Sequence, residues 1–140
     1  MPARRAFTLI ELLIVLVVAG TVMALALPPA AAWMDRVESH SAARDILSTL
    51  AAARGEALAR RQRAWVVLDT AGAQVRLVVG RVTRRRSLAD THRVRLSATR
   101  DSIAYDASGL GYGAANVTIV VARGAARDTV VVSRLGRVRH

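Results

Sequence analysis

Residues 7–27 read FTLIELLIVLVVAGTVMALAL, an apolar run with one charged side chain, Glu11. At about 1.5 Å per residue, a helix over this run spans roughly 30 Å, the thickness of the hydrocarbon core of a bilayer. The run therefore predicts one membrane-spanning helix. Arg4 and Arg5 precede it, so the positive-inside rule places the N-terminus in the cytoplasm and the residues after Pro28 on the far side of the membrane.

Glu11 is the costly residue of this run, because a carboxylate at membrane depth costs about 2.5 to 3.5 kcal/mol on insertion scales. A compensating cation is therefore expected. If a peptidase cuts after Ala6, Phe7 gains a free α-amine one helical turn from Glu11. That amine can pair with Glu11 of its own chain or of a neighbouring chain, and a head-to-tail contact of the second kind repeats into an open helical filament.

Two other interpretations of the N-terminal segment remain, and both give an exported protein without an anchor. A secretory signal would end at the small residues Ala24-Leu25-Ala26. A twin-arginine signal would use Arg4 and Arg5. Glu11 counts against both, because a charge opposes insertion and serves no purpose in a peptide that is discarded.

The bulk composition narrows the classes of partner. The chain has 140 residues, a formal net charge of +11 and no cysteine, and all of its 21 basic residues are arginine. The missing cysteine excludes disulfides and thiolate metal sites. The charge favours nucleic acid, anionic lipid or acidic protein as partners, although a compositional bias toward Ala, Arg, Val and Leu explains the arginines equally well.

Beyond the apolar run, the pattern predicts a longer helix and then a sheet. Pro28 and Pro29 have no N–H to donate, so a helix kink is expected at Pro28. Helical periodicity then continues to Gln62. Its apolar stripe, predicted to cover a sheet, consists of Ala43, Ile46, Leu47, Leu50, Ala53, Ala57 and Leu58.

Short β-rich runs separated by turn residues follow. They cover residues 64–69, 73–83, 93–98, 102–106, 117–123 and 128–135. These runs predict an antiparallel sheet of five to seven strands. The fold class is α+β, a long N-terminal spine helix packed on a small antiparallel β-domain. The expected division is 1–6 as a leader, 7–27 as the membrane span, 28–62 as the rest of the spine helix, and 63–140 as the β-domain.

No pattern of catalytic or cofactor-binding residues is found. His40, His92 and His140 lie far apart in the sequence without a second ligand type at metal-like spacing, so no metal site is predicted. The glycines at 109, 111 and 113 lack the βαβ setting of a dinucleotide loop and predict a turn. Ser108 lacks the strand-turn-helix setting of a nucleophilic serine. The chain is expected to be neither an enzyme nor a cofactor carrier.

Residues 6–15, AFTLIELLIV, resemble the class III leader of type IV pilins and type II secretion pseudopilins. The resemblance implies that prepilin peptidase cuts between Ala6 and Phe7 on the cytoplasmic face and that the amine of Phe7 is methylated. It also implies that Glu11 directs docking onto other pilin subunits, and that the chain is a single-pass protein of the bacterial inner membrane. Ala6 departs from the glycine usual at its position.

Three further stretches resemble the GspH/FimT branch of minor pilins and pseudopilins. They are AAARGEALARRQRAWVVLD at 51–69, IAYDASGLG at 103–111 and VVVSRLGRVR at 130–139. This resemblance implies a spine helix with a small β-domain that caps or primes the tip of a filament. The filament is a type II secretion pseudopilus or a type IV pilus, and the two are not distinguished by the sequence.

Two basic clusters remain. Residues 84–86 are three arginines predicted to form an exposed loop tip, with anion contact as the alternative. The second cluster is Arg134, Arg137 and Arg139. Its G-R-V-R stretch at 136–139 resembles the DNA-contacting motif of FimT-type minor pilins, which implies double-stranded DNA as a partner in DNA uptake. An ordinary polar strand face is the alternative.

Overall fold

The computed structural model describes residues 8–113 and 116–140, with the side chains of residues 26–29 outside the description. The chain forms two compact units, Met1–Met34 and Asp35–His140. Helix α1 covers Leu9–Arg60. Pro28 and Pro29 lie within it, and the kink predicted at Pro28 falls on side chains outside the described residues.

The N-terminal part of α1 starts with a side-chain cap. The Glu11 N–H donates to Thr8 Oγ1 at 3.3 Å, which satisfies one of the free amides of the first turn. The described side chains from Leu9 to Leu25 are all exposed. An apolar surface on every side is typical of a helix whose solvent is lipid, and α1 is long and apolar enough to cross a membrane.

The C-terminal part of α1 carries the predicted stripe. Ala43, Ile46, Leu50, Ala53 and Ala57 are fully buried, as predicted, and they share one core with the strands. Two positions differ from the expectation. Leu58 is 48% exposed because it lies about 100° around the helix from Ala57, whereas Ala42, which was not predicted, is fully buried.

The β-domain consists of two antiparallel sheets rather than the one expected. Among the described residues the strands are β1 Ala64–Asp69, β2 Gln74–Val79, β3 Val82–Ser87, β4 Arg95–Ala98, β5 Ser102–Tyr105, β6 Gly111–Tyr112, β7 Val117–Arg123, β8 Ala126–Val132 and β9 Val138–Arg139. The first sheet has the order β3-β2-β1-β5-β6, and the second has the order β4-β7-β8-β9. The α+β class and the helix on antiparallel sheets are as predicted.

The run predicted as one strand at 73–83 is a hairpin. Val79 pairs with Val82, and Gly80 between them has a φ of +57°, a conformation that glycine adopts without a steric cost. The arginines at 84–86 therefore belong to edge strand β3 and not to a loop tip. The structure also adds a short helix, α2 (Leu88–His92), capped by the Ser87 side chain.

Candidate assembly and nucleic-acid surfaces

The N-terminal segment carries the residues expected to control processing and assembly. Ala6 and Phe7 lie outside the described residues. Glu11 is exposed in the first turn of α1, where a carboxylate interacts favourably with the helix dipole. Within the described part of the chain, the Glu11 carboxylate has no ion-pair partner.

The C-terminal arginines are presented by a tight turn. The Ser133 N–H donates to the Arg137 carbonyl at 2.7 Å, and the Gly136 N–H donates to the Ser133 carbonyl at 2.9 Å. The Arg137 N–H donates to Ser133 Oγ at 3.1 Å. This turn links β8 to β9 and leaves Arg134, Arg137 and Arg139 exposed.

Gly136, the first residue of the predicted DNA motif, has a structural role that was not predicted. Its φ is +78°, and an added Cβ would lie 2.8 Å from Tyr105 Cε1 and 3.0 Å from the Gly111 nitrogen. A Cβ on Gly111 would in turn lie 2.6 Å from the Arg134 carbonyl oxygen. Two glycines are therefore needed where the turn packs against β6.

The two basic clusters differ in their partners. In β3, Arg86 Nη1 lies 2.5 Å from Asp45 Oδ1 and Arg84 Nη2 lies 3.6 Å from Glu56 Oε1. In contrast, the arginines at 134, 137 and 139 form no ion pair with any residue that the structure describes. Glu56 also accepts from Arg60 Nε at 2.6 Å, and this hydrogen bond is the main reason that the pKa of Glu56 is lowered.

His92 lies between two helix carboxylates. Its Nδ1 is 2.8 Å from Glu38 Oε2, and its Nε2 is 3.1 Å from Asp45 Oδ2. Burial alone would lower the pKa of His92, but the hydrogen bonds to Glu38 and Asp45 outweigh it and raise the pKa above its ordinary value of 6.5. Both ring nitrogens of His92 therefore have partners within the described residues.

His40 and His140 meet in space, although their separation in sequence suggested unrelated positions. His40 Nδ1 and His140 Nε2 each lie 2.9 Å from a carboxylate oxygen of Asp128. Burial acts to raise the pKa of Asp128, but the hydrogen bonds from the two histidines outweigh it and lower the pKa. Sequence spacing could not reveal the cluster, because His40 is on α1 and Asp128 is on β8.

The glycine-rich stretch predicted to be a turn is one only in part, since Gly109 lies in a turn and Gly111 begins strand β6. Asp106 Oδ1 accepts from the Ser108 N–H at 2.8 Å, from the Ser108 hydroxyl at 2.6 Å and from the Leu110 N–H at 3.0 Å. The hydrogen bond from the Ser108 hydroxyl is the main cause of the lowered pKa of Asp106. Ser108 thus stabilises a turn, because its amide and its hydroxyl both donate to the Asp106 carboxylate.

Comparison with known families gives two matches that together cover most of the chain. The model of the GspH family, described as type II transport protein GspH, matches residues 42–136. The prokaryotic N-terminal methylation motif matches residues 1–27, which include Ala6, Phe7 and Glu11. No curated protein matches the chain.

Two solved structures share the fold. Both are of the type IV minor pilin FimU of Pseudomonas aeruginosa strain PAO1, in two crystal forms. The first has a TM-score of 0.63 and 16% sequence identity, over 76% of this chain and 90% of FimU. The second has a TM-score of 0.58 and 15% identity, over 71% of this chain and 90% of FimU.

Proposed function

The chain belongs to the GspH family, as a pilin of the GspH/FimT type, and we propose that it is a minor filament subunit cut after Ala6 and methylated at Phe7. The observation that carries the proposal is the methylation motif over residues 1–27 on a helix with apolar side chains exposed on every side. The expected partners are prepilin peptidase, the bacterial inner membrane and other pilin or pseudopilin subunits. The N-terminus is cytoplasmic and the β-domain lies on the far side of the membrane.

Glu11 supplies the recognition step in this proposal. The carboxylate lies at the start of the span without a cation among the described residues, so burial in lipid disfavours it. The α-amine that cleavage creates at Phe7 is the nearest cation that processing can supply. Pairing the amine of one subunit with Glu11 of the next removes the unpaired charge from both helices and repeats along a filament.

Mass spectrometry of the membrane-bound chain tests the processing step. We expect a mature N-terminus at Phe7 with one added methyl group. Removing residues 1–6 takes away Arg4 and Arg5, so the formal charge becomes 11 − 2 = +9. A mature chain that begins near Leu27, the product of a discarded signal, would contradict the proposal.

Variants of Glu11 test the assembly step separately. Glu11→Gln keeps the shape of the side chain and removes the charge, so we expect normal membrane insertion but at least about tenfold less recruitment into filaments, equivalent to about 1.4 kcal/mol. Thr21→Val is the matched control, because the Thr21 hydroxyl already bonds to the Val17 carbonyl of the same helix at 2.8 Å. Normal recruitment of Glu11→Gln would show that charge pairing does not direct docking.

Double-stranded DNA is a second candidate partner, favoured by the contrast between the two basic clusters. Arg134, Arg137 and Arg139 are exposed without ion pairs among the described residues, and each guanidinium can contact a phosphate through two N–H groups. The β-domain offers few aromatic side chains for stacking on single strands. Trp65 is 39% exposed, but Tyr105 is buried and Arg63 covers the Tyr112 ring at 4.0 Å. We therefore expect non-specific duplex binding with a Kd of about 10⁻⁴ to 10⁻⁶ M.

The salt dependence of DNA binding separates the two clusters. Replacing Arg137 and Arg139 with alanine should reduce the slope of log affinity against log salt by up to about 2. The control replaces Arg84 and Arg86, which changes the net charge equally but removes arginines that already pair with Glu56 and Asp45. An equal loss in both variants, or no duplex binding at low salt, would rule out a special role for the C-terminal arginines.

A further inference from the structure

The His–Asp–His cluster, formed by His40, Asp128 and His140, contains metal-ligating groups that the assembly proposal does not use. Each residue offers one ligand atom, and the three atoms lie within 4.8 Å of one another. The two histidine rings are not stacked face to face, since their centroids are 4.9 Å apart and their planes are inclined by 38°. Both rings turn a nitrogen toward the same carboxylate.

Three elements of the β-domain unit bring these side chains together. His40 lies on α1, one residue after the buried Ser39. Asp128 lies on the same face of β8 as Val130 and Val132, and both of those valines are buried. His140 follows β9, two residues after the half-buried Val138 that packs on the core. The cluster is therefore held by the same packing that holds the core.

The ligand set favours a particular class of ion. Two imidazole nitrogens and one carboxylate oxygen suit zinc, cobalt or nickel, whereas calcium and magnesium prefer oxygen ligands alone. Zinc bonds of about 2.0 to 2.2 Å in a tetrahedral arrangement place neighbouring ligand atoms roughly 3.3 Å apart. The 2.9 Å distances join His40 to Oδ2 and His140 to Oδ1 of Asp128, so side-chain rotation must bring both nitrogens to about 3.3 Å from a single oxygen.

The surroundings leave room for a fourth ligand and also set a limit on affinity. A surface cavity beside the cluster is lined by His40 and Asp128 together with Ser39. The Ser39 Oγ is buried without a hydrogen-bond partner among the described residues. Arg36 and Arg127 line the same cavity, and their positive charges oppose a cation.

We propose that His40, Asp128 and His140 bind one divalent transition-metal ion of the zinc class, with a fourth position open to water. The ion would join β8 and the segment after β9 to α1 by replacing the hydrogen bonds through Asp128. This proposal is independent of filament assembly and of DNA binding, because it uses neither Glu11 nor the C-terminal arginines.

Cobalt and zinc titrations test the site in the full chain, purified in detergent without a polyhistidine tag. We expect one Co²⁺ per chain, with the visible absorption typical of tetrahedral nitrogen and oxygen ligation, displaced by an equimolar amount of Zn²⁺. Calcium should produce no signal. His40→Gln, His140→Gln and Asp128→Asn should each weaken cobalt binding at least tenfold, while circular dichroism reports whether each variant is folded.

His92→Gln is the matched control, because it removes the one other histidine of the chain from a position outside the cluster. Cobalt binding that survives His92→Gln and fails in the three cluster variants supports the site. Asp128→Asn keeps a side chain of the same size, so it preserves the test if a histidine variant unfolds. Equal cobalt binding by wild type and the cluster variants would contradict the proposal. No binding at 100 µM Co²⁺, about the weakest affinity of interest, would do the same, and the cluster would then be a hydrogen-bonded triad without a metal.

Discussion

The two parts of helix α1 have the same backbone structure but opposite relations to their surroundings. From Leu9 to Leu25 every described side chain is exposed. From Asp35 to Arg60 one stripe of mostly small residues is buried beneath the strands. The difference shows that the second part finds its apolar partner within the chain, whereas the apolar side chains of the first part have no such partner among the described residues.

The polar residues of the two parts follow the same contrast. Asp35, in the second part, pairs with Arg123 of β7 at 3.0 Å, and Glu38 and Asp45 both contact His92. The first part has the single carboxylate of Glu11. Ion pairs thus attach the second part to its own β-domain, whereas Glu11 forms no ion pair with any residue that the structure describes.

Truncation of the chain is expected to show the largest difference between the two parts of α1. A chain that starts at Ala30 loses the exposed apolar part and should be soluble, folded and monomeric by size-exclusion chromatography. A chain that starts at Ala64 loses the buried stripe, exposes the apolar faces of its strands and should aggregate. If the shorter chain folded as well as the longer one, the second part of α1 would not be part of the core.

Shortening one leucine in each part should give the next largest difference. Leu50 is fully buried, so Leu50→Ala should lower the free energy of unfolding of the β-domain by about 2 to 5 kcal/mol. Leu16 is 67% exposed, and Leu16→Ala should change that free energy by less than about 0.5 kcal/mol. Chemical denaturation of the detergent-solubilised chain, followed by tryptophan fluorescence, measures both variants, and equal losses would contradict the assignment of the core.

Enlarging an alanine tests how closely the helix approaches the strands. Ala53 is fully buried, so Ala53→Leu should overpack the core and destabilise the β-domain by about 1 to 3 kcal/mol. Ala19→Leu, on the exposed apolar part, should leave its stability unchanged. The same denaturation measurement applies, and a neutral Ala53→Leu would mean that the helix can move away from the strands without cost.

The smallest expected effect is a pH dependence of stability that arises from the contacts of His92 with the second part of α1. The pKa of His92 is raised in the folded chain by Glu38 and Asp45, so its contribution to stability is fully present below the ordinary pKa of 6.5. That contribution is lost as pH rises through the raised pKa. Arg86 also faces Asp45, and Arg123 Nη1 donates to the His92 carbonyl at 2.9 Å.

Denaturation midpoints of wild type and His92→Gln between pH 5.5 and 8.5 measure this contribution. The advantage of wild type over the variant should shrink as pH rises, and other titrating groups cancel in the difference. A difference that is constant with pH would show that the charge on His92 does not contribute to stability.

Local patterns in the sequence predicted the elements that depend on near neighbours. Strand β1 has the predicted bounds, 64–69, because its run of aromatic and β-branched residues lies between the end of the helical pattern at Gln62 and the turn residues 70–72. The prediction of one strand over residues 73–83 was wrong, because continuous β-propensity concealed a two-residue turn at Gly80 and Arg81. Helix α2 was not predicted, because its five residues are too few to show helical periodicity.

Features that depend on distant contacts could not be predicted. The His–Asp–His cluster includes positions 88 residues apart, which are brought together by the packing of α1 on the same core as β8 and by the pairing of β8 with β9. The ion pairs of Arg84 and Arg86 depend in the same way on where β3 lies against α1. The sequence alone indicated the C-terminal arginines as candidate DNA-binding residues. The need for glycine at position 136 follows only from the structure, because an added Cβ would contact Tyr105.

Strand β3 forms one edge of the first sheet, and five of its six residues are exposed. An edge strand offers free backbone N–H and C=O groups on which another chain can build a β-sheet. Arg84 and Arg86 are paired with carboxylates of α1, whereas Arg85 has no ion pair among the described residues. Its charge makes such a pairing between two copies unfavourable, because like charges would face each other across the new interface. This charge opposes edge-to-edge aggregation of the domain, which is consistent with the proposal that subunits associate through the N-terminal helix.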